Sequence, residues 1–252
     1  SRAEGAAATC RAQARRAVEL GKLSPDMAAG VADRLRFVPT VGDLPQGLGL
    51  LVESVPERAD LKRDVLAAAS ERTPALLATN TSSLAIDVLA AAVPDPGTFL
   101  GMHFFNPVWS LHLVEIVRGA RTSDLALQRA RAAVELLGKQ SIVVRDVPGL
   151  ATSRLDMVAA LEAMRMLEDG VASAEDIDAA MVVAYRHPIG PLRLSDVVGL
   201  DVRLDIARSL AASLGDRFSP PAILVRKVEA GELGQKSGNG FYAWPSDGPS
   251  TS

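Results

Sequence analysis

The sequence has 252 residues, of which 48% are hydrophobic and 23% are charged, and its net charge is −3. These values are typical of a soluble globular protein with one large or two ordinary domains. Its basic residues are dispersed and no apolar run reaches about 18 residues, so we expect neither a nucleic-acid nor a membrane partner. The first residues do not resemble a secretory signal and Cys10 is the single cysteine, which together predict a cytoplasmic protein without disulfides.

Two helices are predicted at the beginning of the chain. Small and apolar residues recur at helical spacing through residues 2–20, and Gly21 predicts the end of this helix. Ser24 followed by Pro25 is typical of an N-cap and a first helical turn. The second helix should therefore run from there to about Arg36.

Five short apolar runs with strand-like flanks come next, and amphipathic segments separate several of them. The predicted strands are residues 50–53, 75–79, 98–104, 113–117 and 141–145. The predicted helices between them are residues 58–71, 83–91 and 123–137. This alternation predicts an α/β fold with a doubly wound, largely parallel sheet.

After Val147-Pro148-Gly149 the periodicity becomes helical. Helices are predicted at residues 150–169, 173–183, 192–214 and 219–230, and the one remaining strand candidate is Gly240-Phe241-Tyr242. We therefore predict an α/β domain over residues 1–147 and an all-helical domain over residues 148–252.

A glycine fingerprint for dinucleotide phosphates, Gly-x-Gly-x-x-Gly between a first strand and a first helix, is missing. Gly47 and Gly49 precede a strand, and Gly238 and Gly240 follow the last helix, so both pairs are interpreted as turn glycines. We expect an incomplete dinucleotide domain that lacks its first strands at the N-terminus.

His103 and Glu115 form the most informative pair of polar residues. If the strands at 98–104 and 113–117 fold back on one another about Trp109, the two residues face each other with Cβ atoms about 5 Å apart. The carboxylate would then fix the imidazole tautomer and leave the other ring nitrogen as a base. Spacing alone equally allows a buried ion pair that only holds two strands together.

Further polar residues follow the first two predicted strands. Ser82 or Ser83 is expected to cap the next helix, while the other could point into the same crevice as His103. Pro56 and Glu57 are typical of a first helical turn, and Glu57 or Lys62 could equally be a surface charge.

Several longer motifs resemble those of the 3-hydroxyacyl-CoA dehydrogenases, including the bacterial 3-hydroxybutyryl-CoA dehydrogenases. The motifs in the first half are Leu77-Ala78-Thr79-Asn80-Thr81-Ser82-Ser83-Leu84, Gly101-Met102-His103-Phe104-Phe105-Asn106-Pro107 and Leu113-Val114-Glu115. Those in the second half include Asp146-Val147-Pro148-Gly149, His187-Pro188-Ile189-Gly190-Pro191 and Gly234-Gln235-Lys236-Ser237-Gly238-Asn239-Gly240-Phe241-Tyr242. The resemblance covers residues 10 to 244, approximately, and implies a Rossmann-like domain followed by a helical domain.

The resemblance implies NAD-dependent, reversible oxidation of an L-3-hydroxyacyl-CoA to a 3-ketoacyl-CoA, as in fatty-acid metabolism and β-oxidation. His103 would be the base and Glu115 would orient it. Ser82 would hydrogen-bond the substrate oxygen, and Asn106 would help to hold the catalytic loop. A family asparagine is replaced by Ser153, which can still donate one hydrogen bond.

The resemblance also implies the binding partners. NAD would be bound by side chains that line the nicotinamide and its ribose, namely Ser54, Glu57, Lys62 and Asn80. The family positions that contact CoA are Gln13 and Leu20 here, and Lys22, Arg15 or Arg16 could supply the missing charge. A homodimer would form through the helical domain, and no metal is expected.

Two alternatives stay open at this point. A related dehydrogenase of free sugar acids or hydroxy acids is disfavoured by Phe104-Phe105, since such relatives usually vary this pair. The chain could also be a truncated or inactive relative with weak cofactor binding.

Overall fold

The computed structural model describes residues 2–21 and 23–245, and Lys22 lies outside them. The chain begins with two paired helices, α1 (Arg2–Glu19) and α2 (Pro25–Arg34). Gly21 has a φ of +67°, which favours glycine, and ends the first helix as predicted. The hydroxyl of Ser24 accepts a hydrogen bond from the Met27 amide at 3.2 Å, which is the predicted N-cap of α2.

One five-stranded sheet follows, in the order β1-β2-β3-β4-β5. Its strands are β1 (Leu51–Glu53), β2 (Leu77–Thr79), β3 (Phe99–Phe104), β4 (Leu113–Arg118) and β5 (Gln140–Arg145). All neighbours are parallel except β3 and β4, which are antiparallel. The largely parallel sheet and all five predicted strands are thus confirmed, with ends that differ by one or two residues.

Helices cover both faces of the sheet. They are α3 (Ala59–Ser70), α4 (Ile86–Leu89) and α5 (Asp124–Leu136). The side chains of β3 alternate between the faces: Phe99 packs with residues of α3 and α4, whereas Leu100 and Met102 pack with residues of α5. Because His103 is four residues after Phe99 and side chains alternate along a strand, His103 lies on the same face as Phe99, the one that α4 covers.

The helix predicted over residues 83–91 is shorter than expected, and its predicted cap is wrong. It begins at Ile86, its N-cap is Ala85, and no side chain caps it. Ser82 and Ser83 instead donate their amides, and Ser83 its hydroxyl, to the carboxylate of Glu57. The loop after β2 is therefore held by an acidic side chain from the loop after β1.

The second half of the described chain is helical. It contains α6 (Thr152–Glu168), α7 (Ala174–Ala179), α8 (Pro191–Val198), α9 (Leu200–Leu214) and α10 (Ala222–Glu229). The prediction of a single helix over residues 192–214 was wrong, because Gly199, with a φ of +104°, separates α8 from α9. The prediction of a strand at Gly240-Phe241-Tyr242 was also wrong, because these residues form bends and only the flanking Asn239 and Ala243 take part in isolated bridges.

Buried carboxylates hold this helical half together. Asp178 accepts hydrogen bonds from two amides at the start of α8 and from the hydroxyl of Tyr242. A Cβ at Gly190 would lie 2.2 Å from Asp178, so only glycine fits there.

In the described parts of the chain, no helix has the length and hydropathy needed to cross a membrane.

Candidate active site

His103 and Glu115 lie opposite each other on β3 and β4, in the register that their spacing predicted. His103 Nδ1 is 2.9 Å from Glu115 Oε2, and the Glu115 side chain is fully buried. The imidazole is 11% exposed, and its ring centroid lies 4.4 Å from that of Phe105. Since Glu115 engages one ring nitrogen, Nε2 is left for a reacting group.

The carboxylate of Glu115 is held a second time, by the beginning of α6. Its Oε1 accepts hydrogen bonds from the amides of Ala151 at 3.1 Å and Thr152 at 3.0 Å, and its Oε2 accepts one from the Thr152 hydroxyl at 2.8 Å. Burial raises the pKa of Glu115, but the hydrogen bonds from His103 and Thr152 outweigh it and hold the pKa below its ordinary value. The carboxylate therefore stays charged.

Thr152 was not identified from the sequence. Its signal was weak, because a threonine in the first turn of a helix is usually explained by capping. The contact also joins residues that are 37 positions apart, and only the packing of α6 against the sheet brings them together.

A second buried network lies at the carboxyl ends of β1 and β2. Lys62 is completely buried and its ammonium lies 3.0 Å and 3.1 Å from the two carboxylate oxygens of Glu53. The hydroxyl of Thr79 donates to Glu53 at 2.6 Å, and Lys62 also donates to the Asn80 carbonyl at 3.2 Å. The interpretation of Lys62 as a solvated surface charge was therefore wrong.

Glu53 was also missed from the sequence, although an acidic residue that ends an apolar strand was a usable signal. Glu57 lies outside α3, which begins at Ala59, so its placement in a first helical turn was wrong. Burial raises the pKa of Glu57, but hydrogen bonds from Thr81, Ser83 and Ser82 lower it overall. Glu57 Oε2 is 3.5 Å from the Lys62 ammonium, which links it to the buried pair.

The polar groups at this sheet edge suit the nicotinamide end of a dinucleotide. Ser54 and Glu57 follow β1, and Asn80 follows β2, at the carboxyl end of parallel strands where open α/β sheets bind ligands. The Asn80 side chain accepts a hydrogen bond from the Phe104 amide at 3.1 Å, and this contact fixes Asn80 next to β3. Hydroxyl, carboxylate and amide groups are appropriate partners for ribose hydroxyls and a carboxamide.

A cavity of about 420 Å³ adjoins the two predicted substrate-binding serines. It lies between the loop after β2, the segment 146–150 and α9, and both Ser82 and Ser153 line it. Ser153 is in the first turn of α6, next to Thr152. The other predicted site residue, Asn106, is exposed in the loop after β3.

An open, mostly parallel sheet with a buried His–Glu pair and polar side chains at the carboxyl ends of its strands, followed by a helical domain, is typical of an NAD-dependent oxidoreductase. The family model for the NAD-binding domain of 3-hydroxyacyl-CoA dehydrogenases matches residues 1–147, and that for their C-terminal domain matches residues 149–244. The chain belongs to the 3-hydroxyacyl-CoA dehydrogenase family, and NAD is its cofactor.

Individual relatives agree with this assignment. The chain is 39% identical over 229 residues to a probable 3-hydroxybutyryl-CoA dehydrogenase of Deinococcus radiodurans, covering 90% of this chain and 82% of that protein. It is 41% identical to a 3-hydroxybutyryl-CoA dehydrogenase of Mycobacterium tuberculosis, with 91% and 82% covered. The crystal structure of (S)-3-hydroxybutyryl-CoA dehydrogenase from Ralstonia eutropha is similar at a TM-score of 0.88 and 34% identity, covering 95% of this chain and 85% of that one.

Proposed function

We propose that this chain oxidises L-3-hydroxyacyl-CoA to 3-ketoacyl-CoA reversibly, and that His103 and Glu115 are the catalytic pair. The observation that carries the proposal is the 2.9 Å contact between His103 Nδ1 and a fully buried, ionised Glu115 at the edge of the sheet. Such a pair orients an imidazole as a base and stabilises the imidazolium that forms when it accepts a proton.

In the oxidation direction His103 Nε2 accepts the proton of the C3 hydroxyl. The C3–O bond becomes a carbonyl as the hydrogen on C3 leaves with its electron pair. Bound NAD supplies the acceptor for this hydride. In the reverse direction the His103 imidazolium returns the proton to the oxygen. Glu115 keeps its charge throughout and balances the imidazolium in a buried environment.

The remaining site residues position the reactants in this proposal. Ser82 and Ser153, which both line the cavity, donate hydrogen bonds to the C3 oxygen, and Asn106 holds the loop after β3. Ser54, Glu57 and Asn80 face the nicotinamide and its ribose. Lys62 is fully buried, so it acts on the cofactor through Glu57.

An assay of substrate class tests the proposal. NADH oxidation should proceed with acetoacetyl-CoA and be negligible with free acetoacetate at the same concentration. A dehydrogenase of free hydroxy acids or sugar acids would show the opposite preference. Activity on free acids alone would refute the proposed substrate class.

We further propose a homodimer formed through the helical domain. Large apolar side chains are exposed there at several positions, and exposed apolar side chains are typical of an interface when they group together. They include Leu155 at 74%, Val183 at 74% and Tyr185 at 72% exposure. Sedimentation velocity should give a dimer that Val183→Asp converts to a monomer, while Leu136→Asp, at an exposed site on α5, leaves it dimeric. A monomeric parent chain would exclude this proposal.

The other expected partners and the location of the protein stay predictions from composition. The dispersed basic residues argue against nucleic acid, and the single cysteine supports a reducing, cytoplasmic location.

A further inference from the structure

The cavity of about 420 Å³ next to Ser82 and Ser153 is larger than a four-carbon acyl group requires. In a four-carbon acyl group a single methyl extends beyond the reacting carbon. The cavity instead has the size of sites for whole small-molecule ligands. It therefore has room for more than the C3 oxygen that the two serines would bind in the proposed reaction.

Seven of the side chains that line the cavity are branched and aliphatic, and the others include serines, a threonine and two aspartates. Five of the seven come from the sheet side and from the segment between the domains, and two come from α9. These side chains are Leu84, Ile86, Val117, Val147, Leu150, Ile206 and Leu210. Aliphatic walls favour an aliphatic ligand, since each buried methylene leaves water.

The charges in the cavity have one sign. Asp146 and Asp205 line it, and none of the residues that the structure places in its lining is a lysine, arginine or histidine. A carboxylate on a bound acyl chain would therefore share the cavity with two acidic side chains and would find no cation in its lining. Such an arrangement discriminates against anionic chains.

We infer that this cavity receives the acyl tail, and that the enzyme prefers uncharged 3-hydroxyacyl chains longer than four carbons over chains that end in a carboxylate. The inference rests on the proposed function, because it takes Ser82 and Ser153 as the groups that face the C3 oxygen. It adds the class of acyl chain to the proposed reaction.

The test is a series of 3-ketoacyl-CoA substrates with four, six, eight and ten carbons, together with a six-carbon substrate that ends in a carboxylate. The kcat/KM should rise from four to eight carbons, by up to about fourfold per methylene. The six-carbon substrate with a terminal carboxylate should have a kcat/KM at least about 10-fold below that of its uncharged counterpart.

Two phenylalanine variants on α9 test whether the dependence of kcat/KM on chain length arises in this cavity. Ser209 lines the cavity and is exposed, so Ser209→Phe fills it and should lower the ratio of eight-carbon to four-carbon kcat/KM at least about 10-fold. Ala212 is exposed on the same helix outside the lining, and Ala212→Phe should leave the chain-length profile unchanged. Circular dichroism and thermal unfolding establish that both variants are folded.

The outcomes separate this inference from the proposed function. Activity on acetoacetyl-CoA with no gain at longer chains, or a profile that Ser209→Phe does not alter, overturns the tail cavity and leaves the reaction intact. Equal kcat/KM for the charged and uncharged six-carbon chains overturns the charge preference. Inactivity of the parent enzyme with every acyl-CoA refutes the proposed function itself.

Discussion

Glu115 carries more hydrogen bonds than a pair with His103 requires. Its two oxygens accept one from His103, two from amides at the start of α6 and one from the hydroxyl of Thr152. The carboxylate is thereby fixed from the sheet and from the helical domain together. Fixed partners keep a catalytic base in one orientation and lower the cost of reorganisation during the reaction.

Thr152→Val tests whether this second attachment contributes to the rate. Valine has nearly the same shape and retains the backbone amide, so only the 2.8 Å hydroxyl contact with Glu115 is lost. We expect kcat with acetoacetyl-CoA to fall roughly threefold to tenfold, the usual net value of one hydrogen bond, with little change in KM. Thr152→Ser, which restores the hydroxyl, should recover the rate. A valine variant with parental kcat would limit Thr152 to packing.

The lowered pKa of Glu115 also predicts how stability depends on pH. A carboxylate with a depressed pKa in the folded state stabilises the protein above its unfolded pKa, near the ordinary value of 4.5. That contribution is lost as the pH falls through the folded pKa. The free energy of unfolding, measured with urea between pH 6 and roughly pH 3, should therefore decline below about pH 4.5 less steeply in Glu115→Gln than in the parent. Identical slopes in the two proteins would contradict the assigned shift.

At the scale of the elements, the buried pair of Lys62 on α3 and Glu53 on β1 connects a helix to the sheet edge where we propose that the cofactor binds. The ammonium also contacts the carbonyl of Asn80 and lies near Glu57, so it connects the loops that follow β1 and β2. Both side chains are completely buried. A buried ion pair is costly to break because the remaining charge has no partner.

Lys62→Met should accordingly destabilise the protein by about 3–5 kcal/mol, because it leaves the Glu53 carboxylate buried without its cation. Urea unfolding measures this loss. Arg58→Met is a matched control, since Arg58 pairs with Asp60 on the exposed surface at the start of the same helix, and it should change stability little. Equal stabilities of the two variants would show that the buried pair is energetically unimportant.

Sequence periodicity predicted elements better than it predicted their ends. Strand β3 was identified because its apolar residues have strand-like flanks. Its register with β4 was predicted because His103 and Glu115 are equally far from a turn centred on Trp109. The start of α4 was misplaced, because a serine before a helical pattern is normally an N-cap. Here the amide and the hydroxyl of Ser83 instead donate hydrogen bonds to Glu57. That competition involves residues 26 positions apart, which local propensity does not detect.

At the scale of the whole molecule, the site is assembled from both halves of the chain. The sheet supplies His103 and Glu115, whereas the first turn of α6 supplies Thr152 and Ser153. The resemblance of the sequence motifs to a family led to the proposed roles of His103 and Glu115 as a catalytic pair and of Ser153 in binding the substrate. The contact of α6 with Glu115 could not be predicted, because it depends on how the helical half packs against the sheet.

The cavity likewise depends on this packing, since Ile86 and Val117 come from the sheet domain and Ile206 from α9. None of these residues stands out in the sequence, where each is an ordinary apolar residue of a strand or helix. Tertiary structure alone groups them beside Ser82 and Ser153.

The most direct measurement is the kcat of His103→Gln with acetoacetyl-CoA and NADH, compared with that of His112→Gln. His112 is an exposed histidine in the loop between β3 and β4, so its replacement controls for the loss of an imidazole from this region. If His103 is the acid–base group, kcat falls at least about 100-fold in His103→Gln and stays near the parental value in His112→Gln. Near-parental turnover by a folded His103→Gln enzyme would contradict the assignment of the catalytic pair.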